Sequence, residues 1–85
     1  MKELVYTVKD AMGFHARPAG MLVEKAREYS SEITVIKGDK VVSATRLLAI
    51  MALAIKCGEE IKIAICGEDE EKAASEIEKF LKENL

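Results

Sequence analysis

Residues 33–42 read ITVIKGDKVV, in which two runs rich in β-branched residues flank Gly38 and Asp39. A Gly-Asp pair between two such runs is typical of a two-residue turn that joins neighbouring strands. This stretch therefore predicts a β-hairpin with antiparallel strands, and the chain on either side of it supplies the other elements of the fold.

One strand and one helix are predicted before the hairpin. Leu4, Tyr6 and Val8 alternate along residues 3–9, which indicates a strand with one half-buried face. A helix is predicted over about residues 16–27, because apolar side chains recur there at helical spacing. The predicted buried face of this helix consists of Ala19, Leu22, Val23 and Ala26.

After the hairpin we predict a helix over about residues 46–56, a strand over residues 61–66, and a last helix that opens with the acidic run 67–71. Acidic residues suit the positive end of a helix dipole. Ser43 or Thr45 is expected to cap the middle helix. The predicted buried face of the last helix consists of Ala73, Ala74, Ile77 and Phe80 or Leu81.

The predicted order is thus β-α-β-β-α-β-α. Strands separated by helices and one hairpin indicate a single sheet with the helices on one face, which is an α+β fold. Thr7, Thr34 and Lys62 would then point toward water from the other face. With 85 residues, the chain is expected to form one domain over residues 1–85.

Composition excludes several classes of function. The formal net charge is −2, and no basic stripe is present, so we expect no nucleic-acid binding. The longest apolar run, residues 47–55, is too short to span a bilayer, and no leader sequence is visible. We therefore expect a protein that works in the cytoplasm, or one whose leader was removed, without membrane insertion.

The two cysteines, Cys57 and Cys66, are predicted to be reduced. A strand between them would separate its ends by roughly 16 Å. A disulfide needs Cα atoms within about 7 Å. No metal site is expected, because the single histidine is distant in sequence and no CxxC pair is present.

The candidate functional site is the stretch 13–19, which reads GFHARPA and holds the only histidine and the only proline. Pro18 suits the first turn of a helix, so His15 would lie where a loop becomes a helix. Free N–H groups at a helix start bind anions, and Arg17 could fork onto phosphate oxygens. An imidazole at this place could hold a phosphoryl group covalently. The alternative is that a lone histidine near an arginine is only part of an ordinary surface.

Taken together, the stretch 13–19, the element order and the chain length resemble the HPr family. Its members are the histidine-containing phosphocarriers of the bacterial phosphoenolpyruvate–sugar phosphotransferase system. The resemblance covers the whole chain and extends to residues 31–35 and 67–70. It implies an open-faced β-sandwich in which a four-stranded antiparallel sheet carries three helices on one face.

The resemblance also implies a function for this site. His15 would accept a phosphoryl group on Nδ1 from phospho-enzyme I and pass it to enzyme IIA. Arg17 and the backbone N–H groups at Ala16 and Arg17 would stabilise the phosphate. Such a protein is a carrier that needs partner enzymes, so we expect no cofactor and no catalysis by the chain alone. A monomer is expected.

The middle helix is apolar on more than one face, so part of it should remain exposed as a docking surface. By resemblance, Leu47, Leu48 and Met51 would surround the His15 end. One position departs from the Gram-positive branch of the family, where a regulatory serine is phosphorylated: here it is Arg46. We expect no regulatory phosphoserine, unless Thr45 or Ser43 replaces it.

Two other functions compete with the phosphocarrier. A regulatory binding module could have kept the fold without transferring phosphate, and a phosphorelay carrier could work outside sugar uptake. The intact His15 and Arg17 argue against the first of these. The sequence names neither the sugars nor the enzyme IIA proteins that are served.

Overall fold

The protein is described by a computed structural model that covers residues 1–85. The observed elements follow the predicted order. Their bounds are β1 Lys2–Thr7, α1 Ala16–Ala26, β2 Glu32–Lys37, β3 Lys40–Ser43, α2 Leu47–Ala52, β4 Glu60–Cys66 and α3 Glu70–Asn84.

The four strands form one antiparallel sheet in the order β1-β4-β2-β3. β4 is central, so that Ile63 lies opposite Leu4 on one side and opposite Val35 on the other. β2 and β3 form the predicted hairpin, in which Lys37 pairs with Lys40 across the turn. Gly38 has a φ of 62°, which the turn requires and which glycine adopts without steric cost.

All three helices cover one face of the sheet, and the other face is open. Along β4, buried isoleucines alternate with exposed or half-buried residues, the pattern of a sheet with one covered face. Val5 and Val41 on the open face are 56% and 61% exposed. The α+β open-faced sandwich is therefore confirmed. Its core joins the sheet to every helix through Leu22, Ile50, Ile61, Ile63, Ile65, Ile77 and Leu81.

The predicted buried faces of the first and last helices are confirmed. In α1 and α3 the residues named from helical spacing are all buried, and Phe80 and Leu81 both face the core. Thr7 and Lys62 are exposed and Thr34 is half-buried, as expected for outward positions. None of the three helices has the length and hydrophobicity that a membrane-spanning segment needs. Cys57 and Cys66 are both free thiols on the surface.

The predicted extent of the middle helix was wrong. α2 has 6 residues and ends at Ala52, well before residue 56. The N–H groups of Leu53 and Ala54 donate to carbonyls only three residues back, which tightens the last turn. Ala54 then adopts a left-handed conformation with a φ of 51°, which ends the helix.

Two smaller predictions also need correction. β1 ends at Thr7, although Val8 stays buried and exchanges backbone hydrogen bonds with residues 58–59. Neither Ser43 nor Thr45 caps α2, because their hydroxyls bond each other at 2.8 Å. The residue at the cap position is Arg46, whose side chain makes no capping bond.

Candidate phosphoacceptor site

The loop that carries His15 is fixed at both ends by main-chain hydrogen bonds. The N–H groups of residues 9–10 donate to the carbonyl oxygen of Leu85, at 2.6 and 2.9 Å. The N–H of Phe14 donates to the carbonyl oxygen of Ile55 at 2.9 Å, and the Phe14 ring is buried. The loop is thereby attached both to the end of α3 and to the segment that follows α2.

Gly13 allows this loop to lie directly on the segment after α2. It is buried and has a φ of 68°. A Cβ at this position would overlap the carbonyl oxygen of Ile55 and would lie 2.9 Å from the Cα of Lys56. Because both the conformation and the close contact exclude a side chain, only glycine fits immediately before Phe14 and His15.

His15 is the residue that precedes α1, and its imidazole is half-exposed. Its backbone is extended, with a φ of −84° and a ψ of −178°, and its side chain makes no capping bond. Its carbonyl oxygen accepts the N–H of Ala19 at 3.1 Å. The ring therefore has no hydrogen-bond partner within the protein and is partly open to solvent.

Two backbone donors beside His15 have no partner. The N–H groups of Ala16 and Arg17 make no hydrogen bond within the protein, and Pro18 has no N–H to donate. No acidic residue lies in the first turn of α1. Free N–H groups at the positive end of a helix attract anions, so this helix start can bind a phosphoryl group held on the imidazole.

A shallow cleft of about 260 Å³ opens beside the imidazole. This is slightly below the usual range for small-molecule pockets, and it leaves room for a group as small as a phosphoryl group. Arg17 is exposed and forms no ion pair, which leaves its guanidinium available. The lining residues are Asp10, His15, Arg17, Pro18, Met21, Glu83 and Asn84.

Several of these lining residues were missed by sequence reasoning. Glu83 and Asn84 lie at the end of α3, and only the tertiary fold brings them to His15. Asp10 lies close in sequence, and its carboxylate accepts the N–H of Met12 at 2.8 Å. An Asp whose carboxylate accepts the N–H two residues further on is a recognisable turn signal. No local pattern could have indicated the contribution from α3.

The proposed docking residues lie on α2, which packs beside α1. Leu47, Leu48 and Met51 are 37%, 80% and 40% exposed, whereas Ile50 is fully buried. The middle helix therefore leaves an apolar surface uncovered, as its composition predicted. Arg46 is exposed at the head of this helix and forms no ion pair.

An open-faced sandwich with an accessible histidine at the start of its first helix is the architecture of a histidine phosphocarrier. Residues 2–83 match the family model described as the PTS HPr component phosphorylation site. The chain belongs to the HPr family, as the sequence indicated, and its role is that of a phosphocarrier in the phosphotransferase system.

Individual relatives agree with this assignment. The phosphocarrier protein HPr of Borreliella burgdorferi is 43% identical over 74 residues, covering 87% of this chain and 86% of the relative. The crystal structure of HPr-C-His from Thermoanaerobacter tengcongensis superposes with a TM-score of 0.91 at 36% identity, covering 96% and 92% of the two chains.

A solved HPr dimer from the same organism is similar as well, with a TM-score of 0.77, 36% identity and coverage of 98% and 95%. Members of this fold thus occur as dimers, and the monomer expected from the sequence stays a prediction.

Proposed function

We propose that this protein accepts a phosphoryl group on Nδ1 of His15 from phospho-enzyme I and passes it to enzyme IIA of the sugar phosphotransferase system. It would act in the cytoplasm, without a cofactor, and only together with these partners. One observation carries the proposal: the half-exposed imidazole stands beside two backbone N–H groups that have no partner in the protein.

The transfer itself requires little from this chain beyond position and charge. The lone pair on Nδ1 attacks phosphorus while the bond from phosphorus to the donor group of enzyme I breaks, and the ring proton stays on Nε2. The N–H groups of Ala16 and Arg17 then donate hydrogen bonds to the phosphoryl oxygens, and the Arg17 guanidinium balances their charge. Transfer to enzyme IIA reverses these steps with a new acceptor.

The geometry also suits reversible transfer. The cleft is open, so two different partners can reach the same imidazole in turn. A small set of donors stabilises the phosphoryl group without enclosing it. A carrier needs such moderate binding, because a phosphoryl group that is held too tightly could not be passed on.

The test of this function is the variant His15→Ala. The variant and the wild type are incubated with enzyme I and phosphoenolpyruvate, and acid-labile phosphate on the protein is measured, followed by its transfer to enzyme IIA. We expect stoichiometric phosphate on the wild type and none on the variant, whose melting temperature should stay close to that of the wild type. Phosphate at normal yield on His15→Ala would refute the assignment. A wild-type protein that binds enzyme I yet takes no phosphate would instead be a regulatory binding module.

We propose further that Leu47, Leu48 and Met51 form the surface on which enzyme I and enzyme IIA dock. They are exposed apolar residues on α2, the neighbour of the helix that follows His15. An exposed apolar surface of this kind is common where proteins associate.

The docking surface is tested by Leu48→Glu. Because Leu48 is 80% exposed, the change should leave the fold intact and weaken binding to enzyme I by about tenfold or more. Val41→Glu is the matched control, since Val41 is an apolar residue 61% exposed on the open face of the sheet. Isothermal titration of enzyme I would measure both. Equal affinity for the two variants would show that α2 is not the docking surface.

A further inference from the structure

We infer that Lys37 is a positioning residue for His15, because its ammonium group holds the segment on which the His15 loop lies. This inference rests on the proposed role of His15. Lys37 is the last residue of β2, next to the hairpin turn. Its neighbours in the sequence do not distinguish it from an ordinary lysine beside a turn.

The ammonium group of Lys37 is fully engaged. Its Nζ donates to the carbonyl oxygens of Leu53 at 2.9 Å and Ala54 at 3.2 Å. It also lies 3.2 Å from Oε1 of Glu59, and its side chain is only 26% exposed. An ammonium carries three N–H donors, so these three acceptors satisfy all of them.

The segment that Lys37 holds has a strained backbone. Ala54 is the only residue other than glycine with a positive φ, at 51°. A left-handed residue with a Cβ is strained, so contacts from outside the turn help to maintain this conformation. The bonds from Lys37 to two successive carbonyls, one of them that of Ala54 itself, are such contacts.

The same segment supports the His15 loop. The residue after Ala54 is Ile55, whose carbonyl oxygen accepts the N–H of Phe14 and lies against Gly13. Glu59 also accepts the N–H of Lys56 at 2.6 Å. The Lys37–Glu59 pair therefore holds the two carbonyls that precede Ile55 and the N–H of Lys56, which belongs to the same peptide unit as the Ile55 carbonyl.

Electrostatics favours a stable pair. The backbone N–H of Lys56 and then the Lys37 ammonium lower the pKa of Glu59 below its ordinary value. Glu59 is therefore ionised at neutral pH and can pair with the Lys37 side chain 3.2 Å away. Loss of Lys37 would remove its two bonds from the left-handed turn, and the Ile55 carbonyl that accepts the N–H of Phe14, next to His15, would be held less firmly.

The experiment compares Lys37→Met with the control Lys40→Met. Lys40 is an exposed lysine on the other strand of the same hairpin, and its side chain makes no ion pair. Phosphorylation by enzyme I is measured at a temperature where each variant is fully folded. Amide ¹H–¹⁵N spectra report the environment of Phe14, Ala16 and Arg17. We expect Lys37→Met to slow phosphorylation by about 3- to 10-fold and to shift these three amide signals. Lys40→Met should do neither.

A second variant separates positioning from stability. Glycine adopts the left-handed conformation without strain, so Ala54→Gly added to Lys37→Met should restore most of the rate and the original amide shifts. Lys37→Met with a lower melting temperature but unchanged rate and unchanged Phe14 signal would overturn the inference. If the wild type is not phosphorylated on His15, the proposed function fails. If the three amide signals do not shift in Lys37→Met, the inference that Lys37 positions the loop fails, whatever the function of His15.

Discussion

The two ends of this molecule differ in how their polar side chains are bonded. At the end opposite His15, the carboxylate of Asp69 accepts the N–H groups of Ser30 and Ser31, both at 2.9 Å, and the Ser31 hydroxyl. These bonds tie the start of α3 to the turn before β2. At the His15 end the loop is held mainly by the main chain, and the side chains of His15 and Arg17 have no partner.

This difference indicates which end serves the fold and which serves another molecule. Buried polar groups in a structure are normally paired, and a hydrogen bond made to a charged group adds to stability. At the far end the central carboxylate, that of Asp69, is bonded within the protein, whereas the side chains of His15 and Arg17 remain available to a ligand. The contrast is therefore a physical argument for function that does not depend on motif or family.

The largest expected effects come from one glycine at each end. A Cβ on Gly13 would overlap the Ile55 carbonyl, and a Cβ on Gly67 would lie 2.6 Å from the Cα of Ser31. In both cases the obstacle is backbone, so alanine should cost about 3 kcal/mol of unfolding free energy, measured by urea denaturation.

Gly20 is the control for this pair, because a Cβ there meets nothing within 4 Å. Gly20→Ala lies inside α1 and should stabilise the protein by up to ~1 kcal/mol. The two ends should differ in function: below its melting transition, Gly67→Ala should be phosphorylated at the wild-type rate, and Gly13→Ala more slowly. Equal rates for both would mean that the two ends are not functionally distinct.

A smaller effect is expected at the far end when Asp69 is neutralised. The Ser31 hydroxyl, followed by the backbone N–H of Ser30, lowers the pKa of Asp69 below its ordinary value of 3.8. Because the folded pKa is the lower one, these bonds add stability above the ordinary value, and the gain is lost as pH falls through the folded pKa. Asp69→Asn should therefore lower the melting temperature at pH 7. The difference in melting temperature between the variant and the wild type should shrink as the pH falls through the folded pKa of Asp69.

The comparison with Asp69→Asn at each pH isolates this carboxylate, since Glu59 and Glu70 also have lowered pKa values and titrate in both proteins. Phosphorylation of His15 at pH 7 should be unchanged. A gap in melting temperature that stays constant down to pH 2 would mean that Asp69 contributes through packing and not through charge.

Local signals in the sequence were enough for much of this structure. The Gly38-Asp39 pair predicted the hairpin, and Pro18 predicted the start of α1. Both signals are local, because each acts on the backbone conformation of its immediate neighbours. The early end of α2 could not be predicted, since an apolar run favours helix until Ala54 turns left-handed.

The side-chain bonds between distant segments were equally hidden. Asp69 meets Ser31 across 38 residues of sequence, and Lys37 meets the carbonyl of Leu53 across 16. Such pairs are created by the tertiary fold and leave no periodic pattern. Hence the candidate phosphoacceptor histidine was visible in the sequence, while the contacts that hold its loop in place were not.

The smallest effect on stability is expected for Arg17→Ala, at the opposite end from Asp69. Arg17 is exposed on the first turn of α1 and forms no ion pair, so its removal should change the unfolding free energy by no more than about 0.5 kcal/mol. Its guanidinium should instead matter once a phosphoryl group is on His15. We expect phosphorylation by enzyme I to slow by roughly tenfold or more, and Arg17→Lys to recover only part of the rate, because an ammonium cannot form the paired hydrogen bonds of a guanidinium. Stopped-flow transfer kinetics with thermal unfolding would measure both properties. A large fall in melting temperature with normal kinetics would place Arg17 among the residues that hold the fold, and the contrast between the two ends would then no longer stand.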